Sequence, residues 1–107
     1  MIVNAKNYTY SALNKVINKY KTLTISDVLG ERHIATGAGG GTVTIEGVPG
    51  NALASYLNGA TVIVKGDVQD AVGDTMNDGK IVVYGSAGDA LGYSMRGGEI
   101  YVEKCAG

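Results

Sequence analysis

The sequence predicts an all-β protein: a right-handed single-stranded β-helix of stacked 19-residue coils, with one short capping α-helix at its N-terminus. Two observations predict the stack. β-branched runs recur every 19 residues, and all 17 glycines lie at or after Gly30. A third observation, an apolar stripe at helical spacing near the N-terminus, predicts the helix. We expect a single domain over 1–107, with the helix and first strand in 1–29 and the coils in 30–107.

The coils are predicted from four strand-like runs, the first three of which end at a glycine and the fourth at Lys104. The runs are VTIEG (43–47), VIVKG (62–66), IVVYG (81–85) and IYVEK (100–104). Short β-branched runs bounded by Gly, Asn and Asp are typical of short strands joined by tight turns. If one repeat is one coil, like residues stack on like, about 4.8 Å apart. Further faces of the coil are expected at two aligned columns, Ala52/Ala71/Ala90 and Leu57/Met76/Met95.

The fourth coil has no second half before Gly107. We therefore expect a stack truncated at its C-terminal end, with an open edge of unpaired backbone groups. Such edges invite pairing with another chain, so homo-association through this end is expected.

A helix is predicted over about 10–20, with Thr9 or Ser11 as its N-cap. The apolar residues at i, i+3, i+4 and i+7 are Leu13, Val16, Ile17 and Tyr20. We interpret this stripe as the cover for the first open end of the stack, the alternative being a binding face for another protein. A strand is expected to follow at Leu23–Ile25.

The candidate site residues are structural. Glycines are expected at the corners of each coil, where the backbone needs a positive φ or has no room for a Cβ: Gly47, Gly66, Gly85, Gly59, Gly79, Gly98, Gly73 and Gly92. Stacked Asx side chains are expected to cap turns by bonding backbone amides, in preference to binding Ca²⁺: Asn51, Asp70 and Asp89. No catalytic, cofactor-binding or metal-binding residue is predicted.

Other residues that could in principle bind a ligand or take part in catalysis have simpler structural interpretations. The run GAGGG (37–41) leads into a strand, whereas a dinucleotide-binding loop opens a helix. The sequence around His33 contains no triad and no metal set, so this histidine is expected in a surface turn. Cys105 is expected to be an inert thiol. Exposed tyrosines are expected to offer contact surface for partners: Tyr84, Tyr93 and Tyr101.

The charge balance excludes some partners. Nine basic residues against ten acidic ones give no electrostatic footprint for nucleic acid. No apolar run approaches the ~20 residues of a membrane span, so no membrane partner is expected. The single cysteine fits a reducing cytoplasm, where we expect the protein to reside.

A recurring pattern, G-x-x-x-D-x-x-G-x-x-M-x-x-G, underlies a family resemblance. It stands first as Gly66, Asp70, Gly73, Met76 and Gly79, and again as Gly85, Asp89, Gly92, Met95 and Gly98. The segment 66–102 resembles the GXGXG motif of glutamate synthase large subunits and of one subunit of the formylmethanofuran dehydrogenases. The first coil departs from the pattern, with Asn51, Ala54 and Leu57 in place of Asp, Gly and Met. The whole chain looks most like stand-alone glutamate-synthase-type proteins of archaea and some bacteria.

The resemblance implies a function. It implies a non-catalytic domain or subunit of an oxidoreductase that makes glutamate from glutamine and 2-oxoglutarate. The domain would brace a glutaminase part and an FMN-binding synthase part. FMN and an iron–sulfur cluster would lie on those partners, with no cofactor on this chain. Two alternatives stay open: a scaffold like the corresponding subunit of formylmethanofuran dehydrogenase, and an independent β-roll that binds Ca²⁺ or a small ligand.

Overall fold

The computed structural model describes residues 2–30, 33–88 and 95–103. Its elements are β1 (Ile2–Asn4), α1 (Tyr10–Tyr20), β2 (Thr22–Leu29), β3 (Thr42–Val48), β4 (Asn58–Lys65), β5 (Asp78–Val83) and β6 (Glu99–Val102). A 3₁₀ turn at Ala5–Asn7 joins β1 to the segment before the helix.

The strands form one parallel sheet in the order β1-β2-β3-β4-β5-β6, with β1 and β6 at its edges. The predicted right-handed β-helix of stacked coils is therefore wrong for the part of the chain that the structure describes. Each repeat contributes one strand to a single open sheet. The segments expected to form further faces of a coil are turns and irregular backbone.

The backbone torsions explain why the segments between the strands form turns and not further strands. Regular strands have negative φ, but the turn segments alternate into the left-handed region. Positive φ occurs at every second residue of each segment: His33, Ala35 and Gly37; Ala52, Ala54 and Tyr56; Ala71, Gly73 and Thr75. A sequence with few glycines at these positions gives no sign of such torsions, because alanine and threonine normally avoid them.

From β3 onward strand pairing follows the 19-residue spacing, except at the start of β4, where Asn58 pairs with Asp78, 20 residues on, and the register then shifts before Thr61. On the inner face, Val43 pairs with Val62, Val62 with Ile81 and Ile81 with Ile100. The pairing of β2 with β3 begins 20 residues apart, at Thr22 and Thr42, and changes register at a bulge after Ile25. The bulge residue Asp27 has φ 55°, and its Oδ2 accepts a 2.7 Å hydrogen bond from the Asn4 side-chain amide.

The core lies between the inner face of the sheet and a layer formed by the turns and the helix. Ile25, Ile45, Val64 and Ile81 are fully buried on the sheet side. The turn segments contribute buried residues to the same cluster: Ile34, Ala35, Ala38, Leu53, Ala54, Leu57, Val72 and Met76. Parallel sheets are normally covered on a face by helices; here turns provide most of that cover.

The predicted helix is confirmed, with the bounds Tyr10–Tyr20. Thr9 is its N-cap, accepting a 3.2 Å hydrogen bond from the Ala12 N–H. Leu13 and Ile17 are buried in the core cluster and Val16 packs against it, whereas Tyr20 is exposed. The stripe therefore covers one part of the core, which satisfies its need for an apolar partner. No helix in the described ranges is both long and apolar enough to cross a membrane.

Candidate interaction surface

Three glycines of one predicted corner lie directly over backbone atoms of the preceding repeat. A Cβ on Gly47 would collide with the Val28 carbonyl, one on Gly66 with the Gly47 carbonyl, and one on Gly85 with the Gly66 carbonyl. Gly47 also has φ 132°. At this corner successive segments approach more closely than any side chain would permit.

The remaining corner glycines in the described ranges have positive φ, and at Gly73, Gly79 and Gly98 an added Cβ would also lie too close to a neighbouring atom. Positive φ values of 117°, 113°, 67° and 85° occur at Gly59, Gly79, Gly73 and Gly98. A Cβ on Gly79 would meet the Ala60 carbonyl oxygen, whereas one on Gly73 would lie 2.8 Å from the end of the Ile100 side chain. Gly92 lies outside the described residues.

Asx side chains bond the backbone of the following repeat. The Asn51 Oδ1 accepts from the Asp70 N–H at 3.0 Å, and the Asp67 Oδ1 accepts from the Ser86 N–H at 2.8 Å. Each bond spans 19 residues, so these side chains tie one turn to the next as well as shaping the chain locally. The sequence identified Asn51 for its column but did not predict its bond to the next repeat. Asp89 lies outside the described residues.

The other sequence candidates are dispersed. In the described ranges, no three His, Cys, Asp or Glu side chains come together in a way that could hold a metal ion. His33 is exposed, beside a shallow groove that is also lined by Asn14, Lys15 and Thr36. The Asn14 amide donates a 2.8 Å hydrogen bond to the His33 carbonyl and so ties α1 to the first turn. The glycine run leads into β3 at Thr42, and Cys105 and Tyr93 lie outside the described residues.

One column on the outer face of the sheet contains a run of neighbouring apolar side chains. Its paired residues are, from β1 to β6, Ile2, Thr24, Thr44, Ile63, Val82 and Tyr101. The four central residues are half-buried, whereas Ile2 is 76% and Tyr101 50% exposed. We call Ile63, Val82 and Tyr101 the apolar patch. In this column the residues on β2 and β3 are threonines, whereas those on β4 to β6 are aliphatic or aromatic.

Charged residues border the apolar patch in pairs of opposite sign. Glu46 pairs with Lys65 across β3 and β4, and Lys80 pairs with Glu99 across β5 and β6. The Lys80 ammonium lies 5.2 Å from the centre of the Tyr101 ring, a favourable cation–π distance. The Tyr101 hydroxyl donates a 2.8 Å hydrogen bond to Glu99 Oε2. This bond and the carboxylate charge raise the pKa of Tyr101, because both favour the neutral phenol.

Tyr84 is 49% exposed and Tyr101 is 50% exposed. Both are therefore accessible, as expected for tyrosines that offer contact surface to a partner. Sequence reasoning missed Lys80 and Glu99, which organise the surroundings of Tyr101. Their 19-residue spacing, one position before the Ile81 and Ile100 column, is the signal that could have found them.

These features define a class: a glycine-rich domain whose described strands form one parallel sheet with an apolar patch on its outer face. The chain belongs to the GXGXG motif family, whose model matches residues 2–107. This motif is found in glutamate synthase. No curated protein and no solved structure matches the chain.

Proposed function

We propose that this chain is a non-catalytic structural domain or subunit of a glutamate synthase-like enzyme. The family match over residues 2–107 carries the proposal, because it leaves almost none of the chain to another kind of domain. In this proposal the chain braces a glutaminase part and an FMN-binding synthase part, and the enzyme works in the cytoplasm.

The catalytic cofactors are assigned to the partners. An iron–sulfur cluster needs several cysteine thiolates, and this chain has one cysteine. FMN and the cluster would therefore bind to the synthase part, and glutamine hydrolysis would occur on the glutaminase part. This chain would contribute to catalysis indirectly, by holding the two parts in a productive arrangement.

The apolar patch is the proposed contact with the enzyme. Ile63 and Val82 lie side by side on adjacent strands, and Tyr101 adds an amphipathic ring at their edge. Aromatic residues with an apolar body and a polar tip are enriched at protein interfaces. Thr24 and Thr44 separate this patch from Ile2, which is exposed but pairs with a threonine and not with another apolar side chain.

The experiment is a reconstitution with glutaminase and synthase subunits from the same organism. Co-elution with both subunits and an increase in glutamine-dependent glutamate formation are expected when the chain is added. Val82→Asp should abolish co-elution, because it places a charge in the apolar patch. The matched control is Thr24→Asp, which adds the same charge to the same column of the sheet, away from the patch.

Three outcomes would contradict the proposal. The first is an absence of association with either subunit while the chain remains folded by circular dichroism. The second is association that Val82→Asp and Thr24→Asp weaken equally. The third is selective association with subunits of a formylmethanofuran dehydrogenase, which would assign the chain to a different oxidoreductase.

A further inference from the structure

The apolar patch forms a row across three neighbouring strands. Ile63 pairs with Val82, and Val82 pairs with Tyr101. Adjacent strands lie about 4.8 Å apart, so the three side chains span about 10 Å. In an α-helix, residues i and i+7 are about 10.5 Å apart along the axis, with i+3 or i+4 between them on the same face. A helix laid across the strands can therefore place one apolar side chain over each member of the row.

Helices are the usual cover of a parallel sheet, which normally has both faces buried. Here α1 serves the inner side of the sheet, where Leu13 and Ile17 join the core. On the outer face Ile63 and Val82 are half-buried and Tyr101 is half-exposed. The patch thus has apolar surface left for a further layer to cover.

Two lysines dominate the electrostatics beside the patch. Residues two apart on a strand share a face, so Lys65 lies beside Ile63 on one flank of the row, and Lys80 lies beside Val82 on the other flank. Both lysines are exposed. On the third strand the flank that carries Lys80 continues with its cross-strand partner, Glu99. A helix over this row therefore meets positive charge on both sides of the aliphatic pair, and negative charge at the aromatic end.

The acidic neighbours of the lysines do not reverse this pattern. Glu46 pairs with Lys65 from β3, which lies outside the apolar row. Glu99 accepts the 2.8 Å hydrogen bond of the Tyr101 hydroxyl. Exposed ion pairs contribute little free energy, so both ammonium groups can exchange these neighbours for carboxylates of a partner.

We infer that the apolar patch receives an amphipathic helix of the partner enzyme, which lies across β4 to β6. The helix would carry apolar residues at i, at i+3 or i+4, and at i+7. Acidic residues would flank this stripe on opposite sides, near Lys65 and Lys80, and a basic residue would follow near Glu99. Regularly spaced apolar anchors are the mark of helix recognition, and the charges would fix the direction of the helix. The inference rests on the proposed function, since it names the element through which the enzyme would bind.

The test uses the full chain with glutaminase and synthase subunits from the same organism. A carbodiimide, which joins an ammonium group directly to a carboxylate, is added to the co-eluting complex, and the cross-linked peptides are identified by mass spectrometry. Lys65 and Lys80 should each be joined to an Asp or Glu of one partner helix. The two lysines are one strand apart, so their carboxylate partners should lie about two to five residues apart in sequence.

The double substitution Lys65→Glu with Lys80→Glu should weaken binding about thirtyfold, because two favourable contacts become repulsive. The matched control is Lys15→Glu with Lys19→Glu, which makes the same charge change on α1 and should leave the affinity unchanged. Cross-links to a strand, to a loop, to two separate segments or to a second copy of this chain would overturn the inference. So would equal affinities of the two double variants.

The Val82→Asp variant separates the two proposals. If Val82→Asp abolishes co-elution while the Lys65 and Lys80 substitutions have no effect, the patch is the contact but its occupant is not this helix. If the unsubstituted chain does not co-elute with either subunit, the proposed function itself fails.

Discussion

The side-chain Oδ1 of Asp67 accepts a hydrogen bond from the backbone N–H of Ser86, with 2.8 Å between oxygen and nitrogen. The bond joins segments 19 residues apart, beside the point where Gly85 lies over the Gly66 carbonyl. Asn51 makes the corresponding kind of bond to the Asp70 N–H. Asx side chains therefore link successive turns at two positions of the repeat, and this can be tested by substitution.

Asp67→Ala should lower the free energy of unfolding by about 1 kcal/mol, because it removes an acceptor from the Ser86 N–H. Urea denaturation followed by circular dichroism measures the change. Asp67→Asn is the control, since its amide oxygen can accept the same bond. If Asn and Ala were equally destabilising, the loss would come from charge and not from the hydrogen bond.

Gly66→Ala should destabilise the protein by about 3 kcal/mol, because the new Cβ would collide with the Gly47 carbonyl. Gly37→Ala separates this steric effect from torsional strain. Gly37 has φ 68° with nothing within 4 Å of an added Cβ, so its substitution should cost only about 1 kcal/mol. Thermal and urea unfolding of the two variants would reveal the difference. Equal costs would contradict the close approach at Gly66.

Thr75→Gly should stabilise the protein by about 0.5 kcal/mol. Thr75 is β-branched and has φ 53°, a conformation that glycine adopts without strain. The gain is partly offset by the larger backbone entropy of glycine in the unfolded chain. The matched control is Thr61→Gly within β4, which should destabilise by about 1 kcal/mol. A loss of stability at both sites in urea denaturation would argue against strain at Thr75.

Ile81→Ala should cost about 4 kcal/mol and Ile100→Ala about 2 kcal/mol, as judged by chemical denaturation. Ile81 is fully buried between Val62 and Ile100, so its truncation leaves a cavity that neighbours fill poorly. Ile100 is half-buried at the edge of the sheet. Equal costs would show that β6 is as well covered as β5.

Glu99→Gln should lower the pKa of Tyr101 toward its ordinary value, since the hydrogen bond and charge of Glu99 raise it. The raised folded-state pKa stabilises the protein fully below the pKa of an unfolded tyrosine, about 10. That contribution is lost as the pH rises through the folded-state pKa. NMR titration of the labelled Tyr101 ring carbon measures the shift. An unchanged titration curve in the Gln variant would exclude the Glu99 interaction.

Much of the sheet could be predicted from local patterns. Short β-branched runs bounded by Gly, Asn and Asp identified the strands around Val43, Val62 and Ile81, because β-branched residues favour strands and the bounding residues favour turns. The apolar stripe containing Leu13 and Ile17 identified α1, because residues at i, i+3 and i+4 share one face of a helix. The family pattern at Gly66, Asp70 and Gly73 also lies in the sequence itself, and the family match supports it.

The layer opposite the sheet could not be predicted in the same way. Ala52 and Ala71 were expected on a further face of the coil, yet they lie in turn segments that alternate into positive φ. Such torsions are unfavourable for isolated alanine or tyrosine residues. They persist here because hydrogen bonds such as that from the Ala54 N–H to the Ile34 carbonyl fix the turns against one another. These are long-range interactions, which no short window of sequence contains.

The sequence by itself therefore determined where α1 and β2 to β6 lie, which family the chain belongs to, and which glycines recur, but it did not predict β1. Only the tertiary structure decided that one open sheet forms, and that Lys80, Glu99 and Tyr101 meet on its outer face. The physical reason is that strand and helix patterns depend on neighbouring residues. Sheet number, turn torsions and the composition of an edge depend on contacts between residues about 19 positions apart.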